Sequence, residues 1–284
     1  MACHNTHSTH TAVSWSRQRR RMVQWVTAGV VLPSWAVTVQ AQMALSAAIN
    51  VSGSFRALSQ RMAKAYCQQH LQVMPEVAQD VLAKVRKQAQ AGAADLGKGS
   101  QAGAWPAELN RQLEEIQKQY AILNTLTAVA PSKAAAAAVG EQADRMMAAA
   151  QTATESLEKL ARAPSAKLVN MAGRQRMLSQ RMAKNYFMLA AGMDAKAQAQ
   201  AQITADAQEF KQALQVLASA PVSTPAIRTE LELGQSQWLF FEPAIRRNPD
   251  AQGLAAVATT SERLLEVMDR LTTLYDAALR EVLG

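Results

Sequence analysis

Residues 170–186 read Asn170-Met171-Ala172-Gly173-Arg174-Gln175-Arg176-Met177-Leu178-Ser179-Gln180-Arg181-Met182-Ala183-Lys184-Asn185-Tyr186. One hundred and twenty residues earlier stands Asn50-Val51-Ser52-Gly53-Ser54-Phe55-Arg56-Ala57-Leu58-Ser59-Gln60-Arg61-Met62-Ala63-Lys64-Ala65-Tyr66, identical at 11 of 17 positions without a gap. That degree of self-similarity marks an internal duplication and sets the length of the repeating unit. Each unit then divides in the same way. Helix formers and breakers predict helices near 42–73, 75–97, 105–129 and 131–162, with breaks at Pro75, Gly97-Lys98-Gly99-Ser100 and Pro131-Ser132. In the second unit they fall near 164–192, 194–219, 223–246 and 250–282, with breaks at Gly192, Pro221 with Pro225, and Asn248-Pro249-Asp250. No stretch alternates with period two, aromatics make up 5% of the chain, and Ala and Gln abound. The expected fold is therefore all-α: two tandem antiparallel four-helix bundles in series, 42–162 and 163–284.

Residues 1–41 read differently. Ser16-Arg17-Gln18-Arg19-Arg20-Arg21 precedes a moderately apolar run from Trp25 to Val39 and a small-x-small end at Val39-Gln40-Ala41. This is the plan of an export signal, with Gln42 as the mature N-terminus and a periplasmic address. The alternative is an uncleaved inner-membrane anchor. Gln24, Gly29, Pro33 and Ser34 make the run a poor spanning helix. Arg19-Arg20 followed by Met22-Val23 resembles a twin-arginine signal, and the general secretory route stays open beside it.

The signal changes the meaning of the composition. The whole chain carries a net charge of +8, a value that suggests polyanions as partners. Four arginines and no acid lie in residues 1–41, so the mature chain has 26 bases against 22 acids, a net +4, and no nucleic-acid partner is expected. The mature chain also retains one histidine, His70, and one cysteine, Cys67, which together build neither a zinc nor an iron–sulfur site. No metal and no cofactor is expected. Gly92 to Lys98 imitates a phosphate-binding loop, but Gly99 stands where Ser or Thr is needed and no strand precedes it; it reads as a helix end and loop. Met62, Met146, Met147, Met182 and Met268 follow apolar stripes and read as core. Trp105 and Trp238-Leu239-Phe240-Phe241 read as anchors in the bundle core or at its ends.

On a helix turning about 100° per residue, with Arg56 at zero, Gln60, Gly53, Lys64, Asn50 and Arg61 fall between about 40° and 140°. Val51, Leu58, Met62, Phe55 and Tyr66 take the other half. The second copy repeats the polar face with Arg176, Arg181, Lys184, Asn170, Gln180 and Gly173. A solvated helix face ordinarily mixes acids and bases at i,i+4, whereas neither copy of this face contains a carboxylate. Core packing accounts for the repeated Leu, Met and Tyr but not for the repeated Asn, Arg and Gln. Guanidinium forks suit small oxyanions, and glycine permits close approach of a ligand or a second helix.

The stretch Asn170 to Met182 resembles the N-terminal sensor domain of type IV pili methyl-accepting chemotaxis transducers (the PilJ-type domain). It is similar also to the periplasmic motif of NarX-type nitrate/nitrite sensor kinases. The resemblance implies a helical bundle in which the first arginine of the motif holds an anion at a helix pair, with the glycine backbone beside it. Those roles fall on Arg176 with Gly173 and on Arg56 with Gly53; Asn50, Asn170, Gln60, Gln180, Arg61 and Arg181 complete the candidate ligand-binding set. The first copy departs from the family pattern at Ser52, Ser54, Phe55 and Ala57. The resemblance further implies a membrane-bound receptor or transducer as partner, and an anion clamp formed within the chain or across a homodimer. No carboxylate or histidine in the basic face is available as a catalyst, so an enzyme is not expected. The competing reading is a structural or interaction module of the envelope or pilus system with no small-molecule ligand.

Overall fold

The computed structural model describes residues 34–101, 105–162, 164–193, 196–221 and 224–283. All described secondary structure is helical: α1 (Ser34–His70), α2 (Pro75–Gln101), α3 (Ala107–Leu126), α4 (Lys133–Ala161), α5 (Pro164–Ala190), α6 (Lys196–Ala218), α7 (Pro225–Arg246) and α8 (Ala251–Leu283). The basic part of the expected export signal, and its apolar run up to Pro33, lie outside the described residues. Among the described residues no helix is long and apolar enough to cross a membrane.

The helix ends follow from local chemistry. Ser132 accepts a hydrogen bond from the Ala135 N–H and Thr224 from the Ile227 N–H, satisfying donors that the helix itself leaves unpaired. Pro225 follows Thr224 at the first turn of α7. The α1 and α5 C-termini close in the same way. The Val73 N–H reaches the Gln68 carbonyl and the Met193 N–H the Met188 carbonyl, each across a residue with positive φ. That residue is Gly192 (φ 63°) after α5 and Gln72 (φ 56°) after α1.

One expected break is absent. α2 continues through Gly97-Lys98-Gly99-Ser100 to Gln101, so the segment that imitates a phosphate loop lies inside a helix rather than at a helix end. Glycine lowers helix propensity by about 1 kcal/mol per residue, which tertiary packing readily outweighs. Leu96, Ala89 and Val85 supply that packing from the same helix. The aromatic run also divides: Trp238 is buried against Phe210 and Phe241 against Trp238, whereas Leu239 and Phe240 are 71% and 65% exposed. Four consecutive helical residues point round the whole circumference, so two of them face outward.

α1 packs on α2 and α4, and α3 on α4; α5 packs on α6 and α8, and α7 on α8. The two sets of four helices are not stacked end to end. They lie side by side, joined chiefly by α1 against α5, with α1 also touching α8 and α4 touching α5. Buried side chains from both sets form one continuous apolar core. Ser46 contacts Asp276 and Lys64 contacts Ser261, so α1 runs antiparallel to α8. Arg176 contacts Asp269 and Tyr186 contacts Asn248, so α5 is antiparallel to α8 too. The helices α1 and α5 therefore run in the same direction, with Gly53 and Gly173 at one level.

Candidate functional site

The polar faces of α1 and α5 are turned toward the middle of the molecule, where α4 and α8 flank them. Arg56 is 1% exposed and Arg176 6%. Each long side chain runs back toward the N-terminus of its own helix, as helical side chains do. Arg56 Nε donates to the Gly53 carbonyl (3.2 Å), Nη1 to Gln151 Oε1 (2.7 Å) and Nη2 to the Asn170 carbonyl (3.5 Å). Arg176 Nη1 donates to Asp269 Oδ1 (2.7 Å) and Nη2 to Asn50 Oδ1 (3.0 Å). Each arginine thus crosses to the asparagine of the opposite motif. Arg176 Nε and Asn170 Oδ1 are buried with no hydrogen-bond partner.

The glycines set how closely the guanidiniums approach. A Cβ at Gly173 would stand 3.3 Å from Arg176 Nη2 and 3.5 Å from Arg56 Nη2. At Gly53 it would stand 3.0 Å from Arg56 Nη2 and 3.6 Å from the methyl of Thr154. Both cations therefore occupy space that side chains at 53 and 173 would contest. Burial, then the charges of Arg176 and Arg174, push the Arg56 guanidinium down to about 9. It stays charged at neutral pH, and among the described residues no carboxylate is hydrogen-bonded to it. Glu155 and Glu158 act on it only through space, and Glu158 accepts instead from the Asn170 carboxamide.

The other candidates lie elsewhere on the two helices. Gln60 donates to the Ala143 carbonyl (3.2 Å) and to Asp144 (3.1 Å), and Gln180 donates to the Ser261 carbonyl (2.9 Å); the carboxamide oxygen of each is buried without a partner. Both glutamines bind the flanking helix about one turn from the arginine pair. Arg61 pairs with Glu262, and Arg181 forms a bidentate pair with Asp206 (2.6 and 2.8 Å). The structure brings Arg56, Arg176, Gly53, Gly173, Asn50 and Asn170 together and places Gln60, Gln180, Arg61 and Arg181 outside that group.

The acid-free character of the motif holds along each helix but not across the packed molecule. Lys64, fully buried, donates to Ser261 and Glu262 of α8, and Lys184 donates to Asp144 of α4 at 2.6 and 2.8 Å. These two ion pairs tie each set of helices to the other. Burial alone raises the Glu262 carboxyl, but the charge of Lys64 and the hydrogen bonds and charge of Arg61 together outweigh it and hold the group at about 2. Burial lowers the Lys64 ammonium from its ordinary value, against the attraction of Glu262.

Reading the motif helices alone misses the partners supplied by α4 and α8. Gln151 and Asp269 hold the same Nη1 position on Arg56 and Arg176, and Thr154 and Thr272 place methyls beside Gly53 and Gly173. These pairs are 118 residues apart, as are Asp144-Arg145 and Glu262-Arg263. That weaker recurrence, Asp/Glu-Arg followed nine residues later by Thr, is the sequence signal by which they are found. Arg174 is a further cation at the site. It pairs with Glu209, and its Nη1 shares Gln151 Oε1 with Arg56 (3.2 Å).

Residues 161–273 match the family model described as type IV pili methyl-accepting chemotaxis transducer N-term. The matched segment spans α5 to α7 and most of α8, including the Arg176 half of the arginine pair. Neither the curated proteins nor the solved structures give a match.

Proposed function

We propose, from the PilJ-type transducer domain carried by residues 161–273, that this chain is an exported sensory module. It binds a small oxyanion such as nitrate or nitrite between Arg56 and Arg176 and signals through a separate membrane-bound receptor or transducer. The observation that carries the reading is the pair of buried guanidiniums over Gly53 and Gly173, of which Arg56 is hydrogen-bonded, among the described residues, only to neutral oxygens. A planar anion with three oxygens matches the forked donors, and neutralises a charge that the fold leaves largely uncompensated. Because α1 and α5 belong to one chain, the clamp needs no second copy. The periplasm is the proposed location, reached through the N-terminal signal.

Thermal-shift and calorimetric titration of the chain with nitrate, nitrite, chloride and sulfate tests this. Saturable nitrate or nitrite binding that is lost in both Arg56→Ala and Arg176→Ala is expected. Absence of binding by every anion, or unchanged affinity in both variants, refutes it.

A second reading, an interaction module without a small ligand, is favoured by Leu239 and Phe240, adjacent on α7 and largely exposed. It predicts ligand-independent co-purification of an envelope partner that is abolished by Leu239→Ser with Phe240→Ser.

A further inference from the structure

A cleft of about 720 Å³ opens between α1, α2 and α8, and Arg176 lines it. Its walls include the apolar side chains of Ala57, Leu58, Ala91 and Leu265. Its cations are Arg176, Arg61 of α1 and the exposed Lys84 and Lys87 of α2; Asp269 and Glu266 of α8 are its acids. The volume lies in the range of sites for small organic molecules and far exceeds what a three-oxygen anion fills. Arg176 is therefore reached from a half-apolar chamber, whereas its counterpart Arg56 does not line that chamber.

We propose that this cleft binds an organic carboxylate with an apolar body, whose carboxylate group takes Arg176 over from Asp269. The proposal deepens the anion-binding reading above and rests on it. Asp269 is an internal stand-in for such a group. Its Oδ1 lies 2.7 Å from Arg176 Nη1, and its side chain is 63% exposed, free to swing into solvent when displaced. At the corresponding place on Arg56 the acceptor is the neutral amide of Gln151, so only the Arg176 side carries its own competing carboxylate. The Arg176 Nη1 that Asp269 gives up is then the donor to one oxygen of the ligand's carboxylate. The apolar body then lies along Leu58, Ala57 and Leu265, while Lys84 and Lys87 steer the approach of the anion.

The test is calorimetric titration of the full chain with acetate, butanoate, octanoate, neutral 1-octanol and nitrate. The proposal expects affinity to rise at least tenfold from acetate to octanoate, with no saturable binding of 1-octanol. Ala91→Trp, a change at an exposed helix position that blocks the cleft, is expected to weaken octanoate at least tenfold and leave nitrate unchanged. Asp269→Asn, which removes the internal competitor, is expected to tighten octanoate several-fold. Octanoate binding no tighter than acetate, or unaffected by Ala91→Trp, overturns the proposal. A nitrate response with none to octanoate overturns the cleft proposal alone and leaves the paired-arginine reading standing; silence toward both overturns the two together.

Discussion

Replacing Arg56 by methionine is expected to stabilise the anion-free protein, although it removes three hydrogen bonds. Arg56 is 1% exposed and held at about 9, below the ordinary guanidinium value, by burial and by the charges of Arg176 and Arg174. A charged form disfavoured in the folded state weakens folding at every pH below about 9, and the penalty fades only as pH climbs from there to the ordinary value. At about 1.4 kcal/mol per pH unit, the gross penalty is on the order of 5 kcal/mol. Against it stand the charge-assisted bond to Gln151 Oε1, worth about 2 kcal/mol, and some lost packing. Little is orphaned by the change. Gln151 Oε1 keeps Arg174 as a donor, and the Gly53 and Asn170 carbonyls lie within helices. The balance is a gain of about 1–3 kcal/mol, which for a chain of this size raises Tm by roughly 2–4 °C per kcal/mol. Urea unfolding and differential scanning calorimetry read it, in a buffer whose only anion is a bulky sulfonate. If Arg56→Met unfolds at lower urea than the parent protein under those conditions, the idea of an uncompensated charge at the site is wrong.

Glu262→Gln strips the fully buried Lys64 of its carboxylate and should cost about 3–5 kcal/mol in urea unfolding. In the parent protein the Glu262 carboxyl is held at about 2, so its contribution is complete above the ordinary carboxylate range and lost as pH falls from there toward 2. The variant should show a shallower acid limb in a pH series of melting curves. Gly173→Ala places a methyl within 3.5 Å of both guanidiniums and is expected to reduce nitrate affinity at least tenfold, read by calorimetric titration. Gln72→Gly, at positive φ in the α1 C-terminal turn, should add up to about 1 kcal/mol in the same urea assay, and Gly192→Ala should lose about as much from the matching turn after α5.

The helices themselves were legible because their punctuation is local. Pro75, Ser132, Thr224-Pro225 and Gly192 stand at the observed boundaries, each with a short-range reason to be there. Gly97 and Gly99 were misleading for the converse reason: a glycine pair weakens a helix locally, and contacts with distant residues decide whether it breaks. The side-by-side placement of α1 and α5 is a long-range fact of this kind. So are the carboxylates that Asp144, Asp206, Glu262 and Asp269 bring to a motif lacking any of its own. The pairing of Arg56 with Arg176 was open in the sequence as one of two arrangements, within a chain or between chains. The parallel course of α1 and α5 brings the two together within one chain.

That parallel course has a consequence for how such a site can change over time. Two identical subunits must mutate together, because every substitution is copied into both halves of whatever they enclose. A single chain is released from that restriction. Here Gln151 faces one arginine and Asp269 the other, an asymmetry that no two-fold symmetric pair can acquire. A molecule bound there as proposed meets two unlike ends, and either end is open to selection while the other stays as it is.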